Sequence, residues 1–416
     1  MVNLMTDAEE EIFTAIKAEF PIFTRKIEGN DLIYLDTAAT AQKPKAVISA
    51  ITDFYSYGCG TVHRGVYALS RSATKQFIEA RERIAAFFHV LPEEILFTRG
   101  ATSALNNIAR ALSMSALKEG DVILLSSIEH HACEVSWRII AKQYGLIIKY
   151  IPVDDQGNLI IEEAERLIKA GARVINLVHI ANVYGAIIPV DQIIDIAHKH
   201  DVLVILDGTQ SAAHFPLDLK KMNVDVFVAS GHKMYGPTGI GISYIKKELL
   251  DHLPPFEGGG DMVETVTEDE LIFHPAPLKF EAGTPAIASV IGLGEACHFL
   301  MNIGMNKVFL REREITSYSI EKFLAMDQVE ILGNKDAFAR GSLVSFAVKG
   351  IHPLDIAYLL DAQGIAIRSG NHCSQSSMRR SGYTSLARIS FGVYTLKSDI
   401  DYFSQVLEEI ITLLSK

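Results

Sequence analysis

Lys233 is the residue whose position in the sequence most favours covalent chemistry. It follows an apolar run at 226–228 through a short polar segment and precedes the turn-forming stretch 235–239. A lysine amine becomes a nucleophile only when it is partly unprotonated, a state that burial and neighbouring cations promote. On Lys233 alone, the favoured interpretation is an ordinary loop lysine that pairs with a carboxylate.

Asp207 changes that interpretation because it ends the fully apolar run 202–206. A carboxylate in such surroundings costs free energy unless a cation meets it. The protonated ring nitrogen of pyridoxal 5'-phosphate (PLP) would be such a cation, and this pairing makes PLP an electron sink. The alternative is a buried aspartate that caps the next helix. Together, Lys233 and Asp207 predict a PLP site with a lysine that binds the cofactor as a Schiff base.

Polar residues follow five of the apolar runs of the chain, and in open α/β sheets ligands bind at the carboxyl ends of the strands. Gln210 is placed to donate to the phenolic oxygen of PLP, and His130 to stack on its ring. Thr102 at a helix start, with Ser230 and His232, suits a phosphate dianion. Each also has an ordinary interpretation as a helix N-terminal residue, an N-cap or a structural loop histidine. Their convergence predicts a site for a polar, aromatic and anionic ligand.

The elements that must position these residues are short runs of Val, Ile and Leu without polar alternation. Such runs are typical of strands buried on both faces of a parallel sheet that helices flank. They lie at 95–97, 122–125, 147–151, 174–178, 202–206, 226–228 and 241–245. We predict a large α/β domain over 31–295 with a mostly parallel seven-stranded sheet. A smaller α+β domain over 296–416 follows, and residues 1–30 form a helical segment that packs with it.

Composition excludes several classes of protein. The 416 residues are 49% hydrophobic and 21% charged, which excludes a disordered or fibrous chain. With 39 basic and 50 acidic residues the net charge is −11, so no basic footprint for nucleic acid is expected. The longest uncharged stretch, 174–190, contains polar residues and falls short of the ~20 apolar residues of a membrane helix.

The cysteine spacing and the missing motifs indicate the compartment and exclude two kinds of ligand site. Four scattered cysteines without a C-x-x-C pair indicate a reduced, intracellular protein. The N-terminus carries acids where a secretory signal needs positive charge, which predicts a cytoplasmic location. The chain has no G-x-G-x-x-G, no P-loop and no H-E-x-x-H, so neither a dinucleotide site nor a metal site is expected.

Seven segments resemble group II (SUF-type) cysteine desulfurases, which are class V PLP enzymes of fold-type I. These segments are 34–39, 129–132, 207–210, 230–239, 257–260, 280–285 and 368–373. They occur in unbroken order from about residue 30 to the end of the chain. The segment around Cys373 separates desulfurases from the aminotransferases of the same class.

The resemblance implies roles for the cofactor-binding residues. Lys233 would bind PLP covalently, Asp207 would pair with its ring nitrogen, Gln210 would contact its phenolic oxygen and His130 would stack on its ring. The phosphate would be bound by Thr102, Ser230 and His232.

The resemblance also implies a homodimer and a substrate site. Gly258 and Thr284 would reach the phosphate in the neighbouring subunit. Asn182 would lie near the ring and the substrate. Arg388 would clamp the carboxylate of L-cysteine, a bidentate task that suits a guanidinium, and Arg368 would be a second active-site arginine.

Cys373 matches the nucleophile of the family. Lys233 would remove the α-proton, Cys373 would take the sulfur as a persulfide, and alanine would leave. A SUF-type acceptor protein would then receive the sulfur for iron–sulfur cluster assembly. The motif departs from the usual pattern at Asn371, where histidine is common, and at Ser374, where alanine is common.

Other functions remain open at this point. A selenocysteine lyase would share the fold and the cofactor, and selenium is the easier leaving atom. A class V aminotransferase would transfer an amine to a 2-oxo acid instead. A non-catalytic scaffold of a sulfur-transfer assembly would be colourless and take up no PLP.

Overall fold

The computed structural model describes residues 7–415, so residues 1–6 of the predicted N-terminal segment and Lys416 lie outside the described residues. The helices are α1 Asp7–Ala18, α2 Lys45–Asp53, α3 Ala68–Phe88, α4 Ala101–Ser115, α5 His131–Tyr144, α6 Ile161–Lys169, α7 Val190–His198, α8 Leu219–Met222, α9 Lys247–Leu250, α10 Ile287–Ile303, α11 Met305–Leu324, α12 Pro353–Asp361, α13 Gln375–Ser381 and α14 Lys397–Leu414.

The strands are short, as the length of the apolar runs predicts. They are β1 Lys26–Ile27, β2 Asn30–Asp31, β3 Ile33–Tyr34, β4 Ile95–Thr98, β5 Val122–Ser126, β6 Ile147–Ile151, β7 Ala172–Val178, β8 Leu203–Asp207, β9 Val226–Ser230, β10 Gly241–Ile245, β11 Val263–Val266, β12 Leu271–Phe273, β13 Val329–Ile331, β14 Leu343–Val348, β15 Ile365–Ala366, β16 Arg368–Gly370 and β17 Leu386–Ser390.

The large sheet has seven strands in the order β4-β10-β9-β8-β7-β5-β6. Strands β6, β5, β7, β8 and β9 are parallel to one another, whereas β10 is antiparallel to both β9 and β4. Every residue of β9 and β10 is buried, as expected for strands covered on both faces. The prediction of a mostly parallel seven-stranded sheet is confirmed, with β10 as its antiparallel exception.

A second, antiparallel sheet lies in the C-terminal part, with the order β13-β14-β17-β16. The rings of Phe323 in α11, Phe346 in β14 and Phe403 in α14 pack together against it. Near the N-terminus, β3 pairs in parallel with β15. The predicted large domain, 31–295, includes β3 but not β15. The domain boundaries stay a prediction.

Helix α1 lies against the C-terminal elements. Lys17 Nζ is 2.7 Å from the carboxylate of Asp399 in α14, and Arg311 of α11 is 2.6 Å from the carboxylate of Glu10. These two ion pairs connect α1 to α14 and to α11.

Helices α10 and α11 form the long helical stretch that the sequence predicts to about Leu324, but Gly304 breaks it. Its φ of 89° is a conformation that glycine adopts without steric cost. No single helix within 7–415 is long and apolar enough to cross a membrane. Only α10 and α11 taken together have that length and composition, and they are bent by 77° at this break.

One buried ion pair fixes the segment that leads into α10. Glu281 accepts from the guanidinium of Arg81 in α3, with a closest distance of 2.6 Å, and from the Phe97 N–H of β4 at 2.9 Å. The two side chains are 9% and 5% exposed, and the guanidinium also lies over the Phe97 ring. Removing one partner of such a pair leaves an uncompensated buried charge.

We predict that Glu281→Ala lowers the free energy of unfolding by ~3–5 kcal/mol, as measured by chemical denaturation, because Arg81 stays buried without a counter-ion. The control is Glu295→Ala, which removes the partner of Arg83 two residues further along α3. That pair is 44% and 23% exposed, so the expected loss is only ~0–1 kcal/mol. Equal losses for the two variants would contradict this assignment.

Candidate active site

A cavity of about 230 Å³ opens at the carboxyl ends of β7, β8 and β9. The predicted site residues that line it are Thr102, His130, Asn182, Asp207, Gln210, Ser230, His232, Lys233, Arg368, Cys373 and Arg388. Gly258 and Thr284 are exposed and lie outside it. A backbone bond of 2.9 Å from Gly283 N to Gly260 O brings their two segments together.

Asp207 is the last residue of β8 and is 3% exposed. Its Oδ1 accepts the Thr209 N–H at 3.0 Å, which orients the carboxylate at the rim of the cavity. The sequence alternative, a cap for the next helix, does not describe this geometry. A turn follows Asp207, and the next described helix, α8, begins at Leu219.

Lys233 lies in the turn that follows β9 and lines the same cavity. Burial lowers the pKa of its amine to about 8, and the neighbouring charges of Arg388 and Arg368 act in the same direction against the opposing effect of Asp207. A lysine in water is almost fully protonated at neutral pH. The lowered pKa leaves a larger share of the Lys233 amine neutral near pH 7 than in an ordinary lysine, as a nucleophile requires.

His130 and Gln210 line the cavity with one hydrogen-bonding atom each already engaged. His130 caps α5, and its Nδ1 accepts the Ala132 N–H at 3.0 Å, so the ring proton lies on Nε2. Burial, followed by the charge of Lys233, lowers the pKa of His130 to about 4, so the ring is neutral. Gln210 Nε2 donates to Ala38 O at 2.8 Å. That bond uses one of its two amide hydrogens.

The start of α4 forms one end of the cavity and has the features of an anion site. Ala101 N donates to Ser230 Oγ at 2.9 Å, which ties the helix start to the end of β9. Thr102 lies in the first turn of this 15-residue helix and also lines the cavity. The N–H groups of a helix N-terminus attract anions. Burial lowers the pKa of the nearby His232 to about 4, and Nδ1 of its neutral ring lies 3.2 Å from Thr40 Oγ1.

Arg388 is held rigidly on β17, with its side chain only 2% exposed. One of its terminal nitrogens donates to Asn182 O at 3.0 Å and the other lies 3.3 Å from Asp36 Oδ1. Arg368 is half-exposed and lies 3.9 Å from the same carboxylate. Burial raises the pKa of Asp36, and the two arginines counteract that effect.

Cys373 lies at the open side of the cavity in the loop between β16 and α13, and it is exposed. His372 and Cys373 both have left-handed backbone conformations, with φ of 51° and 56°. Asn182 Nδ2 donates to His372 O at 2.6 Å. The Cys373 thiol and the Lys233 amine therefore face one cavity, although they are 140 positions apart in the sequence.

Several buried polar atoms around the cavity have no hydrogen-bond partner within residues 7–415. They are Asn182 Oδ1, Thr209 Oγ1, His372 Nδ1 and Arg388 Nε. Buried polar groups normally have partners, so these atoms indicate polar groups of a ligand. A nucleophilic amine, a carboxylate for a ring nitrogen and a helix N-terminus for a phosphate fit PLP with a bound amino acid.

Sequence reasoning missed three residues that matter to this geometry. Asp36 lies in the 34–39 motif but received no role, and it is the counter-ion of both arginines. Glu129 lies in the 129–132 motif, and burial raises its pKa to about 8. Asn371 was noted only as a departure, and its side chain accepts the Cys373 N–H. Their positions inside motifs were the available signal.

Comparisons with known proteins agree with this geometry. The model of the aminotransferase class-V family matches residues 33–403. A probable cysteine desulfurase of Halalkalibacterium halodurans is 41% identical over 395 residues, which cover 95% of this chain and 97% of that protein. A probable cysteine desulfurase of Synechocystis is 40% identical over 402 residues and 96% of each chain.

Solved structures give the same result. The apo cysteine desulfurase of Thermococcus onnurineus NA1 superposes with a TM-score of 0.93 at 33% identity over the full length of both chains. The cysteine desulfurase CsdA of Escherichia coli has a TM-score of 0.89 at 34% identity, covering 99% of this chain and 100% of that one. The chain therefore belongs to the aminotransferase class-V family of PLP-dependent enzymes and, within it, to the cysteine desulfurases.

Proposed function

We propose that this enzyme converts L-cysteine to L-alanine and carries the sulfur away as a persulfide on Cys373. The observation that carries the proposal is the meeting of three groups in one cavity. These are the Lys233 amine with its lowered pKa, the Asp207 carboxylate and the exposed Cys373 thiol. A class V aminotransferase needs the first two groups but has no task for a thiol at this position.

The residues of the cavity divide into two ends that suit the two ends of PLP. Lys233 would bind the aldehyde, Asp207 would accept the ring N–H, and His130 and Gln210 would contact the ring and its phenolic oxygen. The phosphate would lie at the start of α4, bound by Thr102, Ser230 and His232. When bound, PLP supplies an electron sink for the carbanion that forms at the α-carbon of the substrate.

Lys233 Nζ is the proton carrier of the proposed reaction. When it is not bonded to the cofactor, the Lys233 amine would take the α-proton of the substrate. Its pKa of about 8 suits this task because a general base works best when its pKa is near the working pH. The same atom can later return a proton to carbon as alanine forms.

Arg388 binds the carboxylate of the substrate in this proposal. Its guanidinium cannot move freely, because Asn182 O and Asp36 Oδ1 fix two of its nitrogens. Its Nε has no partner within 7–415 and is free for a carboxylate oxygen. The Asn182 Oδ1 atom, also unpaired and buried, would accept from a polar N–H of the substrate or the ring. Arg368, which is half-exposed, would approach the substrate from the open side.

Cys373 Sγ performs the sulfur transfer. As a thiolate it attacks the substrate sulfur, so the new S–S bond forms while the Cβ–S bond of the substrate breaks. The electron pair of the Cβ–S bond stays on carbon, which is reduced, and the sulfur is oxidised to the sulfane level. The proton of the substrate thiol ends on that carbon, so that L-cysteine and the Cys373 thiolate give L-alanine and a Cys373 persulfide anion.

We also propose that the active unit is a homodimer. Gly258 and Thr284 would reach the phosphate in the second subunit. Both residues are exposed, and a hydrogen bond from Gly283 N to Gly260 O connects their two segments. Exposed apolar side chains before and at the start of α3 support a contact surface, because monomers rarely expose such clusters. They are Tyr55, Tyr57, Val66, Tyr67 and Leu69, which are 48–88% exposed.

The persulfide requires an acceptor, and the exposure of Cys373 supports its transfer to a second protein. We propose a SUF-type acceptor and iron–sulfur cluster assembly as the use of the sulfur. Four free cysteines fit a reducing compartment, so we propose the cytoplasm as its location.

We predict that Cys373→Ala abolishes the release of alanine from L-cysteine, because no other thiol lines the cavity within residues 7–415. The PLP-loaded wild-type protein, incubated with L-cysteine and no reductant, should carry one extra sulfur on the Cys373 peptide by mass spectrometry. The matched control is Cys59→Ala, which removes the other exposed cysteine and should leave both results unchanged. A PLP-loaded wild-type protein without added sulfur on that peptide would refute sulfur transfer.

We predict that PLP labels Lys233 with a rate that rises with pH and levels off with a midpoint near pH 8. The neutral amine attacks, and burial places its pKa about two units below that of an ordinary lysine. PLP-free protein is incubated with PLP between pH 6 and pH 10, trapped with borohydride and mapped by mass spectrometry.

Lys43 provides the matched comparison. Burial also lowers its pKa to about 8, but it does not line the cavity, so it should stay unlabelled. Arg388→Gln should move the Lys233 midpoint to higher pH because it removes a neighbouring cation. Pyridoxyl label on Lys43 in place of Lys233 would overturn the assignment.

A further inference from the structure

The loop that carries Cys373 has a backbone conformation that residues other than glycine seldom adopt. His372 and Cys373 are consecutive, neither is glycine, and both have left-handed φ values of 51° and 56°. Such residues persist only where the surroundings determine their conformation. Within residues 7–415, the surroundings include two neighbouring side chains, the loop that carries His130, and Asn182 Nδ2, which donates to His372 O at 2.6 Å.

Asn371 makes the first of these contacts. Its Oδ1 accepts the Cys373 N–H at 3.0 Å, and its backbone oxygen accepts the Ser374 N–H at 3.0 Å. Asparagine side chains that bond the backbone two residues ahead stabilise tight turns. Histidine makes the same bond elsewhere in this chain, since His130 Nδ1 accepts the Ala132 N–H at 3.0 Å.

Ser374 makes the second contact. Its side chain is fully buried, and Oγ donates to Glu129 O at 2.8 Å while it shares a hydrogen bond of 2.6 Å with Ser377 Oγ. Beside it, Cys373 O accepts the His131 N–H at 2.9 Å. The loop is therefore anchored to segment 129–131, which also places His130 in the cavity.

The side chains on this loop alternate in a way that depends on that backbone. His372 points inward, is 4% exposed and donates from Nε2 to Leu386 O at 3.2 Å. Its Nδ1 is buried and unpaired. Cys373 points outward, lines the cavity and stays exposed. Relaxation of either φ to an ordinary negative value would turn the thiol away from this position.

We propose that Asn371 and Ser374 are positioning residues that hold the Cys373 thiol in the attacking geometry before substrate arrives, so that sulfur abstraction needs no closure of the loop. The inference rests on the proposed function. Asn371 and Ser374 are both departures from the usual group II motif, and each makes a hydrogen bond that holds the loop.

The first test is Asn371→Ala, with single-turnover formation of the Cys373 persulfide as the readout. We expect this step to be ~10- to 100-fold slower, since small misplacements of a reacting group have effects of that size. The KM for L-cysteine should change less than about twofold, because Arg388 is untouched. Asn371→His keeps an acceptor at the same position and should restore most of the rate. The control is Gln375→Ala at the exposed first residue of α13, two positions after Cys373, which should behave like wild type.

A second measurement does not need the loaded enzyme. In PLP-free Asn371→Ala, iodoacetamide should alkylate Cys373 several-fold faster than in wild type, because the released thiol samples open conformations. Cys133 and Cys297 are buried and should stay unreacted, which reports that the variant is folded. If Cys133 or Cys297 reacts, Asn371→Ala is not folded and Ser374→Ala is tested instead. We expect the same slower persulfide formation with an unchanged KM in that variant.

The outcomes separate this proposal from the proposed function. Wild type that forms no persulfide on Cys373 would remove the function itself. Wild type that forms it, with Asn371→Ala and Ser374→Ala forming it at the same rate, would overturn only the positioning role. A loss of rate that Asn371→His does not restore would also count against Asn371 as an acceptor.

Discussion

The site depends on one electrostatic constraint, which is that a buried lysine must stay partly neutral beside two arginines. Burial and the charges of Arg388 and Arg368 lower the pKa of Lys233 to about 8. The same burial and the same arginines lower the pKa of His372 to about 3. The carboxylate of Asp36 accepts from one arginine and faces the other, so the two cations remain fixed. The cavity thus holds its cations for an anionic substrate and keeps its nucleophilic amine available.

The fold meets this constraint by bringing together residues that are far apart in the sequence. Strands β7, β8 and β9 end at one edge of the large sheet, where Asp207 and Lys233 lie. Arg388 comes from β17 of the second sheet, and its contact with Asn182 O joins that sheet to the loop after β7. Asp36 follows β3, which pairs with β15. The cavity therefore exists only where the two sheets meet.

Much of this arrangement could be predicted because it depends on local sequence patterns. Unbroken apolar runs define strands buried on both faces, and the residue that ends each run lies at the sheet edge. Asp207 directly follows such a run and Lys233 lies five residues after one, so the local pattern alone predicts both residues near this edge. The antiparallel direction of β10, the pairing of β3 with β15 and the ion pair of Asp36 could not be predicted. The last two depend on contacts between residues more than 300 positions apart, on which local pattern carries no information. The direction of β10 depends on its pairing with β9 and β4, and an apolar run does not by itself indicate a strand direction. The left-handed backbone at Cys373 was equally hidden, because Asn371 and Ser374 reveal their hydrogen bonds only once segment 129–131 is in place.

Glu129 shows how closely the two halves of the site depend on each other. Its carboxyl is buried beside Asp207, and Oε1 accepts from Ser126 and from the Val178 N–H at 3.1 Å. Burial, with the charge of Asp207 acting in the same direction, raises the pKa of Glu129 to about 8, so it holds its proton at neutral pH. The two carboxyls are therefore linked electrostatically, because the charge of Asp207 acts on the pKa of Glu129. The backbone oxygen of Glu129 meanwhile accepts from Ser374. One residue therefore lies beside Asp207 and also anchors the loop that carries Cys373, so a change at position 129 should alter the surroundings of both.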